Sequence, residues 1–112
     1  METKTVEPYL IKIDSLYAPD TVNIKSVFNI ELYGYVGPNK CYAFEKAYHS
    51  VNDLHEITIE VWGRYTYYGD PCVEGEILMK ETIEMAISAP GVYKIKGLQP
   101  NNLYTERKLV VK

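Results

Sequence analysis

The sequence predicts an all-β protein in which seven antiparallel strands form two sheets packed face to face. Apolar and polar residues alternate over most of the chain, which is the pattern of strands with one buried face. Turn-forming residues interrupt this alternation at short, regular intervals. The 112 residues, 46% of them hydrophobic, suffice for one core. We expect residues 1–8 to be disordered and residues 9–112 to form a single β-sandwich domain.

Turn signals delimit the first three predicted strands. The first strand starts at Tyr9 and closes near the turn at residues 18–20. The second strand runs over residues 28–36 and stops where glycine, proline and asparagine follow one another. The third strand occupies residues 41–50.

The fourth predicted strand has the clearest pattern in the chain. Residues 57–62 alternate between aliphatic side chains on one face and polar or aromatic side chains on the other. The buried face is expected to hold Ile57, Ile59 and Val61, and the outer face Thr58, Glu60 and Trp62.

Three further strands follow the turn at residues 69–71. The fifth covers residues 72–87, the sixth begins after the turn at residues 90–91, and the seventh covers residues 105–111. Seven short strands separated by regular turns are typical of an immunoglobulin-like or fibronectin-III-like sandwich. The signature of true immunoglobulin domains is missing, because the register of Trp62 turns it away from the aliphatic face.

Two segments also fit helices. Residues 41–50 and 75–87 both carry apolar residues at helical spacing, and the second is rich in helix formers. We favour strands for both, because five neighbouring segments need sheet partners and a helical insertion would break up the sandwich.

Cys41 and Cys72 are 31 positions apart and are the only cysteines in the chain. A single pair in a small β-rich domain is most economically a disulfide formed outside the cytosol. Two alternatives stay open at this point. One is a cytosolic protein with two free thiols, and the other is a redox or metal-binding pair, although the spacing typical of such pairs is missing.

Charge and hydropathy exclude several classes of function. The net charge of −3 argues against non-specific nucleic-acid binding, which needs a basic surface. No apolar run approaches the ~20 residues that cross a bilayer. Residues 1–7 lack the layout of a signal peptide. If the cysteines are bridged, we expect an export signal ahead of Met1 in the precursor and a periplasmic or cell-surface location, with lipid anchoring through that signal as one option.

Three landmarks together resemble a known group. They are the run at residues 37–42 that contains the first cysteine, Cys72 after the long fourth strand, and the run at residues 90–95 before the penultimate strand. Their order resembles small exported bacterial domains, often parts of lipoproteins, that have an immunoglobulin-like sandwich and two such cysteines. The resemblance implies a cell-envelope location and a bridge between Cys41 and Cys72. It implies no activity, because that group supplies no catalytic residues to carry over.

Eleven tyrosines and one tryptophan are the most distinctive candidate binding residues. Exposed aromatic rings stack on sugars or anchor protein partners. Core packing is expected for Tyr9, Tyr42, Tyr48, Tyr65, Tyr67 and Tyr93, which share a face with aliphatic residues. The candidate ligand-binding residues are Tyr33, Tyr35 and Trp62 on outer faces, with Tyr65, Tyr67 and Tyr68 as a second patch at a loop tip. The structural alternative is that loops cover these faces, or that a bulge shifts the register by one.

His49 and His55 flank a turn that contains Asp53, and a hairpin could bring them together as metal ligands. Two exposed loop histidines are far more often solvated, so we expect no metal and no cofactor. The acidic residues around Cys72 lack regular calcium-loop spacing and are interpreted as a solvated edge.

These observations predict a non-catalytic exported or cell-envelope domain that serves in interaction, in adhesion or as a spacer. Its partner is expected to be a protein or a glycan. One alternative is a carbohydrate-binding module that uses Trp62 with Tyr33 and Tyr35, in which case the three rings should lie coplanar on one exposed face. A further alternative is a metal-binding or enzymatic domain around the histidine pair.

Overall fold

The computed structural model describes residues 5–100 and 103–112, which fold into two β-sheets that face one another. The all-β prediction is confirmed, but these residues form nine strands instead of seven. The strands are β1 Thr5–Leu10, β2 Lys12–Tyr17, β3 Thr21–Val22, β4 Phe28–Asn39, β5 Tyr42–Val51, β6 Glu56–Tyr67, β7 Glu74–Met85, β8 Gly91–Leu98 and β9 Tyr104–Val111. The segments 41–50 and 75–87 are therefore strands and not helices.

The larger sheet has six strands, and β6 lies at its centre. The antiparallel strand β5 pairs with one edge of β6. Two strands share the other edge: β1 pairs with residues 62–67 and β8 pairs with residues 56–59. The pairs β6–β8 and β3–β9 are parallel. The prediction of purely antiparallel sheets is thus wrong. The parallel pair arises because the chain crosses to the other sheet as β7 between β6 and β8.

The predicted first strand is divided between the two sheets at Ile11. This residue is completely buried, and its N–H donates a hydrogen bond of 2.8 Å to the carbonyl oxygen of Val61. Residues before it pair with β6, and residues after it pair with β4. The disorder expected for residues 1–8 is therefore wrong for residues 5–8, which belong to β1, and residues 1–4 lie outside the described residues.

The smaller sheet has the order β2-β4-β7, with antiparallel pairing throughout. Between it and the larger sheet lies a core whose buried members are all apolar among the described residues. Fully enclosed members include the three residues expected from the fourth predicted strand, Ile57, Ile59 and Val61. Ile30, Leu32 and Ile95 face them or lie beside them at no measurable exposure. Burial of apolar side chains in such a core is the dominant favourable contribution to folding.

Cys41 and Cys72 form a disulfide, as predicted, with Cα atoms 5.5 Å apart. The bond joins the residue before β5 in the larger sheet to the segment before β7 in the smaller one. It fixes what we call the upper end of the sandwich, and the turn between β5 and β6 marks the lower end. Closing a loop of this length stabilises a domain by about 3–4 kcal/mol in the chain-entropy model.

The molecule is elongated, with extents of 58 × 23 × 23 Å. Thr5 pairs with Tyr67 at the upper end, and Val111 pairs with Gly91 at the lower end. The described chain therefore enters and leaves at opposite ends of the long axis. No helix within the described residues is long and apolar enough to cross a membrane.

Candidate ligand-binding face

The structure separates the three aromatic residues that the sequence grouped together. Trp62 follows the buried Val61 on β6, so it lies on the outer face of the six-stranded sheet. Tyr33 and Tyr35 alternate with buried residues on β4, so they lie on the outer face of the three-stranded sheet. The two outer faces point in opposite directions across the sandwich. The coplanar arrangement of all three rings is therefore wrong.

A β-bulge in β5 brings a different ring to Trp62. The ladder between β5 and β6 shifts between Phe44 and Lys46, which places Lys46 opposite Trp62. Two residues on, Tyr48 pairs with Glu60, whose two chain neighbours on β6 are fully buried. The prediction that Tyr48 faces the core is therefore wrong, because the extra residue reverses the faces beyond it. Tyr48 is 48% exposed and lies diagonally from Trp62 on the same outer face.

A third ring reaches this face from the far side of the sheet. Tyr104 opens β9 and pairs with Leu98, the last residue of β8. Because Ile59 pairs with Gly97, the next residues, Glu60 and Leu98, lie side by side. Tyr104 is 50% exposed, and the Nζ atom of Lys96 lies 5.3 Å from the centroid of its ring.

We call this surface the aromatic face, and it comprises Leu10, Tyr48, Glu60, Trp62, Leu98 and Tyr104. Leu10 belongs to it because it pairs directly with Trp62. Glu60 lies on the central strand, opposite Tyr48 on β5, two residues from Trp62, and with Leu98 between it and Tyr104. A shallow groove of about 250 Å³ runs beside Glu60, between Tyr48 and Thr58.

Most other charges on this outer face are paired with one another. Lys94 lies 3.8 Å from Glu106, and Lys96 pairs with Glu56. Hydrogen bonding from Lys96 and from the amide of Asn52 lowers the pKa of Glu56 below its usual value. The same contact with Glu56 raises the pKa of Lys96. Both groups therefore stay ionised near neutral pH and largely cancel each other's charge.

Arg64 and Glu45 form a further ion pair on this side of the sheet. Lys46 has no such carboxylate partner among the described contacts, but its Nζ atom lies 4.9 Å from the centroid of the Tyr48 ring. A lysine at this distance contributes a cation–π contact and covers part of the ring.

The outer face of the smaller sheet carries its own tyrosines, which largely contact one another and their neighbours. The rings of Tyr17 and Tyr33 meet edge to face, with centroids 5.7 Å apart. The Nζ atom of Lys80 lies 5.7 Å from the centroid of Tyr33. Tyr35 is opposite Leu78, which is 70% exposed. This face therefore presents an exposed aliphatic side chain and two accessible rings, Tyr17 at 52% and Tyr35 at 36%.

The predicted patch at the loop tip consists mainly of packing contacts. Tyr65 lies against Tyr42, with ring centroids 4.8 Å apart, and stacks on Tyr67 at 6.4 Å. The hydroxyl of Tyr67 donates to the carbonyl oxygen of Gly69 at 3.2 Å. Tyr68 is the exposed member, at 53%. Two of the three predicted ligand-binding residues here therefore stabilise the upper end of the sandwich.

The two histidines lie on opposite sides of β6. His49 is on β5, paired with Ile59, while the ring of His55 stacks on Tyr93 of β8, with centroids 4.3 Å apart and planes 6° from parallel. The imidazole also fills the space beside Gly91, where a Cβ atom would come within 2.6 Å of it. The structure thus does not join the histidines with Asp53, and the described residues contain no group of metal-ligating side chains.

Sequence reasoning missed Tyr48 and Tyr104 as members of the exposed surface. The bulge that exposes Tyr48 leaves no turn residue in the sequence to mark it. Tyr104 is the first residue of β9, where alternation has only begun and assigns no face. Of the three rings on the aromatic face, only Trp62 had its outer-face position predicted, by strict alternation with Ile59 and Val61.

No family model, curated protein or solved structure matches this chain.

Proposed function

We propose that this chain is a non-catalytic interaction domain of an exported or cell-envelope protein and that it binds its partner on the aromatic face. The observation that carries the proposal is the presence of Trp62, Tyr48 and Tyr104 together on the exterior of a rigid sheet. Aromatic side chains bury large areas at low entropic cost, and they dominate the energetics of binding surfaces. Partly exposed rings on a folded sheet are therefore well suited to binding.

The exported location is supported by the Cys41–Cys72 disulfide, since such bonds persist mainly in oxidising compartments. The sequence landmarks at residues 37–42 and 90–95 add the resemblance to immunoglobulin-like domains of bacterial lipoproteins. Both lines favour a domain that keeps its shape outside the cytosol.

The non-catalytic assignment is supported by the placement of the histidines and cysteines, two residue types that often serve as general bases and nucleophiles. His49 is on β5 and the ring of His55 stacks on Tyr93 of β8, so the two histidines lie on opposite sides of β6. Cys41 and Cys72 are joined in the disulfide, so neither is a free thiol.

A spacer role is compatible with the same surface. The described chain runs from the upper end at Thr5 to the lower end at Lys112, along the long axis of 58 Å. A domain with this geometry separates whatever is attached to its two ends and presents its broad faces sideways. The aromatic face would then be displayed along the length of a larger assembly.

An array that carries both extracellular proteins and glycans tests the proposal. The purified domain is expected to bind at least one class of target, and Trp62→Ala is expected to weaken that binding at least tenfold. Tyr35→Ala is the matched control, because it removes an outer-face ring from the opposite sheet. Circular dichroism establishes that each variant is folded. Binding that survives Trp62→Ala, or no binding to any target, would contradict the proposal.

A further inference from the structure

We infer that the partner of the aromatic face is an uncharged glycan chain that lies across the strands of the six-stranded sheet. This inference rests on the proposed interaction function and narrows it to one class of ligand. It follows from three features of the face: the placement of the rings, the polar groups between them, and the balance of charge around them.

The rings are spread across the strands of the sheet. Tyr48 is on β5 and Tyr104 is on β9, which are separated by β6 and β8 in the sheet. Three strand spacings correspond to ~14 Å between the two backbones. Trp62 lies between them on β6, two residues closer to the upper end than Glu60, the partner of Tyr48. A linear chain of sugar rings fits this spacing, because successive rings can each lie against a different aromatic side chain.

The polar groups between the rings suit hydroxyl groups. Glu60 lies between Tyr48 and Leu98, and its carboxylate can accept hydrogen bonds from two adjacent hydroxyls. Thr58 and Ser50 pair with each other one pleat lower and offer hydroxyls that both donate and accept. A sugar presents apolar C–H faces together with a rim of hydroxyls. The aromatic face offers the complementary alternation of ring surfaces and hydrogen-bonding groups.

The charge balance favours a ligand without net charge. Lys94, Lys96 and Arg64 are each neutralised by a carboxylate on this side of the sheet. Lys108 lies opposite Lys94, four residues along β9 from Tyr104, so the remaining charges beside the rings are Lys46 and Glu60, which are opposite in sign. An acidic polymer would meet the central carboxylate of Glu60, and like-charge contact there would be unfavourable. A neutral glycan meets no such repulsion.

The other sheet also has tyrosine rings beside a carboxylate, in a groove of about 560 Å³ lined by Ser15, Tyr17, Glu31 and Tyr33, but two of these rings meet edge to face on adjacent strands instead of spanning the sheet. The ring of Tyr33 is engaged by Tyr17 and by Lys80. Its neighbour Tyr35 lies opposite the aliphatic Leu78. That sheet therefore serves as an internal control within the same protein.

Affinity electrophoresis in native gels tests the inference. The probes are a soluble β-glucan, xyloglucan and galactomannan as neutral polymers, and polygalacturonate and alginate as acidic ones. We expect at least one neutral polymer to retard the parent domain, and we expect that retardation to persist at raised ionic strength. Trp62→Ala and Tyr48→Ala are each expected to weaken this binding at least tenfold, while Tyr35→Ala leaves it within twofold of the parent.

The outcomes separate this inference from the broader proposal. Retardation by acidic polymers alone, or by none of the polymers, overturns the assignment to an uncharged glycan. Retardation by a neutral polymer that is unchanged in both Trp62→Ala and Tyr48→Ala overturns the assignment to this face. If the array instead gives a protein target whose binding Trp62→Ala removes, the interaction function stands and the glycan inference falls.

Discussion

Tyr9 lies directly opposite Gly63 in the β1–β6 ladder, and its ring occupies the space that a side chain at position 63 would need. A Cβ atom built at Gly63 would come within 2.7 Å of the Tyr9 ring and its hydroxyl oxygen. That hydroxyl donates a hydrogen bond of 2.5 Å to the carbonyl oxygen of Val36 in the opposite sheet. One tyrosine therefore joins the two sheets, and a glycine makes room for it.

Substitution of this glycine should destabilise the upper half of the sandwich. We expect Gly63→Ala to lower the free energy of unfolding by about 1–3 kcal/mol, because the added methyl group overpacks the contact with Tyr9. Urea unfolding followed by circular dichroism measures the change. In a Tyr9→Ala background the ring is gone, so the added cost of Gly63→Ala should be smaller. If Gly63→Ala lowers the unfolding free energy equally in both backgrounds, contact with Tyr9 is not the cause of the destabilisation.

The same contact predicts a loss of stability at high pH. Burial, with a smaller contribution from Tyr42, raises the pKa of Tyr9 to about 12 from its ordinary value of 10.0. Between these values the unfolded chain releases the proton and the folded protein retains it. The contribution of Tyr9 to stability is therefore complete below pH 10.0 and is lost as the pH rises to about 12.

Unfolding experiments on the parent and on Tyr9→Phe isolate this effect. The decline in stability over that alkaline interval should be steeper for the parent than for the variant, which has no hydroxyl to titrate. Parallel pH profiles for the two proteins would count against a raised pKa at this tyrosine.

The disulfide at the upper end should contribute a large share of the stability of the domain. Mass spectrometry should show a gain of two hydrogens upon reduction. The double variant Cys41→Ser with Cys72→Ser should lose about 3–4 kcal/mol of unfolding free energy, since the unfolded chain regains the entropy of the open loop. Reductant should lower the unfolding midpoint of the parent and leave that of the double variant unchanged. If the unfolding midpoint of the parent is the same with and without reductant, the disulfide does not stabilise the fold.

Gln99 caps an open edge of the smaller sheet at Ile13. Its side-chain oxygen accepts from the Ile13 N–H at 2.8 Å, and its nitrogen donates to the Ile13 carbonyl oxygen at 2.6 Å. The same nitrogen donates to the Thr105 hydroxyl at 2.6 Å, which ties β2 to the start of β9.

Because the glutamine amide acts here as both donor and acceptor, the isosteric change Gln99→Glu should remove its donated bonds. It should lower the unfolding free energy by about 1–3 kcal/mol. The substitution Gln99→Met keeps the length of the side chain and removes its amide, so it separates the contribution of packing from that of the hydrogen bonds. If Gln99→Glu unfolds at the parental denaturant concentration, the hydrogen bonds do not stabilise the fold.

The sequence contained enough information for the parts of the fold that follow local periodicity. Strict alternation over residues 57–62 identified the aliphatic face of β6, because burial on one side of a strand requires a period of two. The cysteine pair identified the covalent link between the sheets, since a chain this small gains much from one cross-link. Both predictions depend only on the identity and spacing of the residues themselves.

The remaining features depend on partners that lie far away in the chain. At Ile11 the strand passes from one sheet to the other without a turn residue, so alternation continues across the break. The bulge before Lys46 reverses the faces of β5 and exposes Tyr48, and that reversal is visible only in the pairing with β6. The aromatic face could not be predicted for the same reason, because its rings come from three strands whose order in the sheet the sequence does not state.

Trp62 is the only tryptophan in the chain, so its fluorescence reports directly on the aromatic face. The decisive measurement is a titration of the parent domain, at constant ionic strength, with the target that it binds in the array or the gel. We expect a saturable change in Trp62 emission whose midpoint equals the dissociation constant measured in the array or the gel. Saturable binding with no change in the emission of Trp62 would contradict this expectation, because the partner would then be bound elsewhere on the molecule.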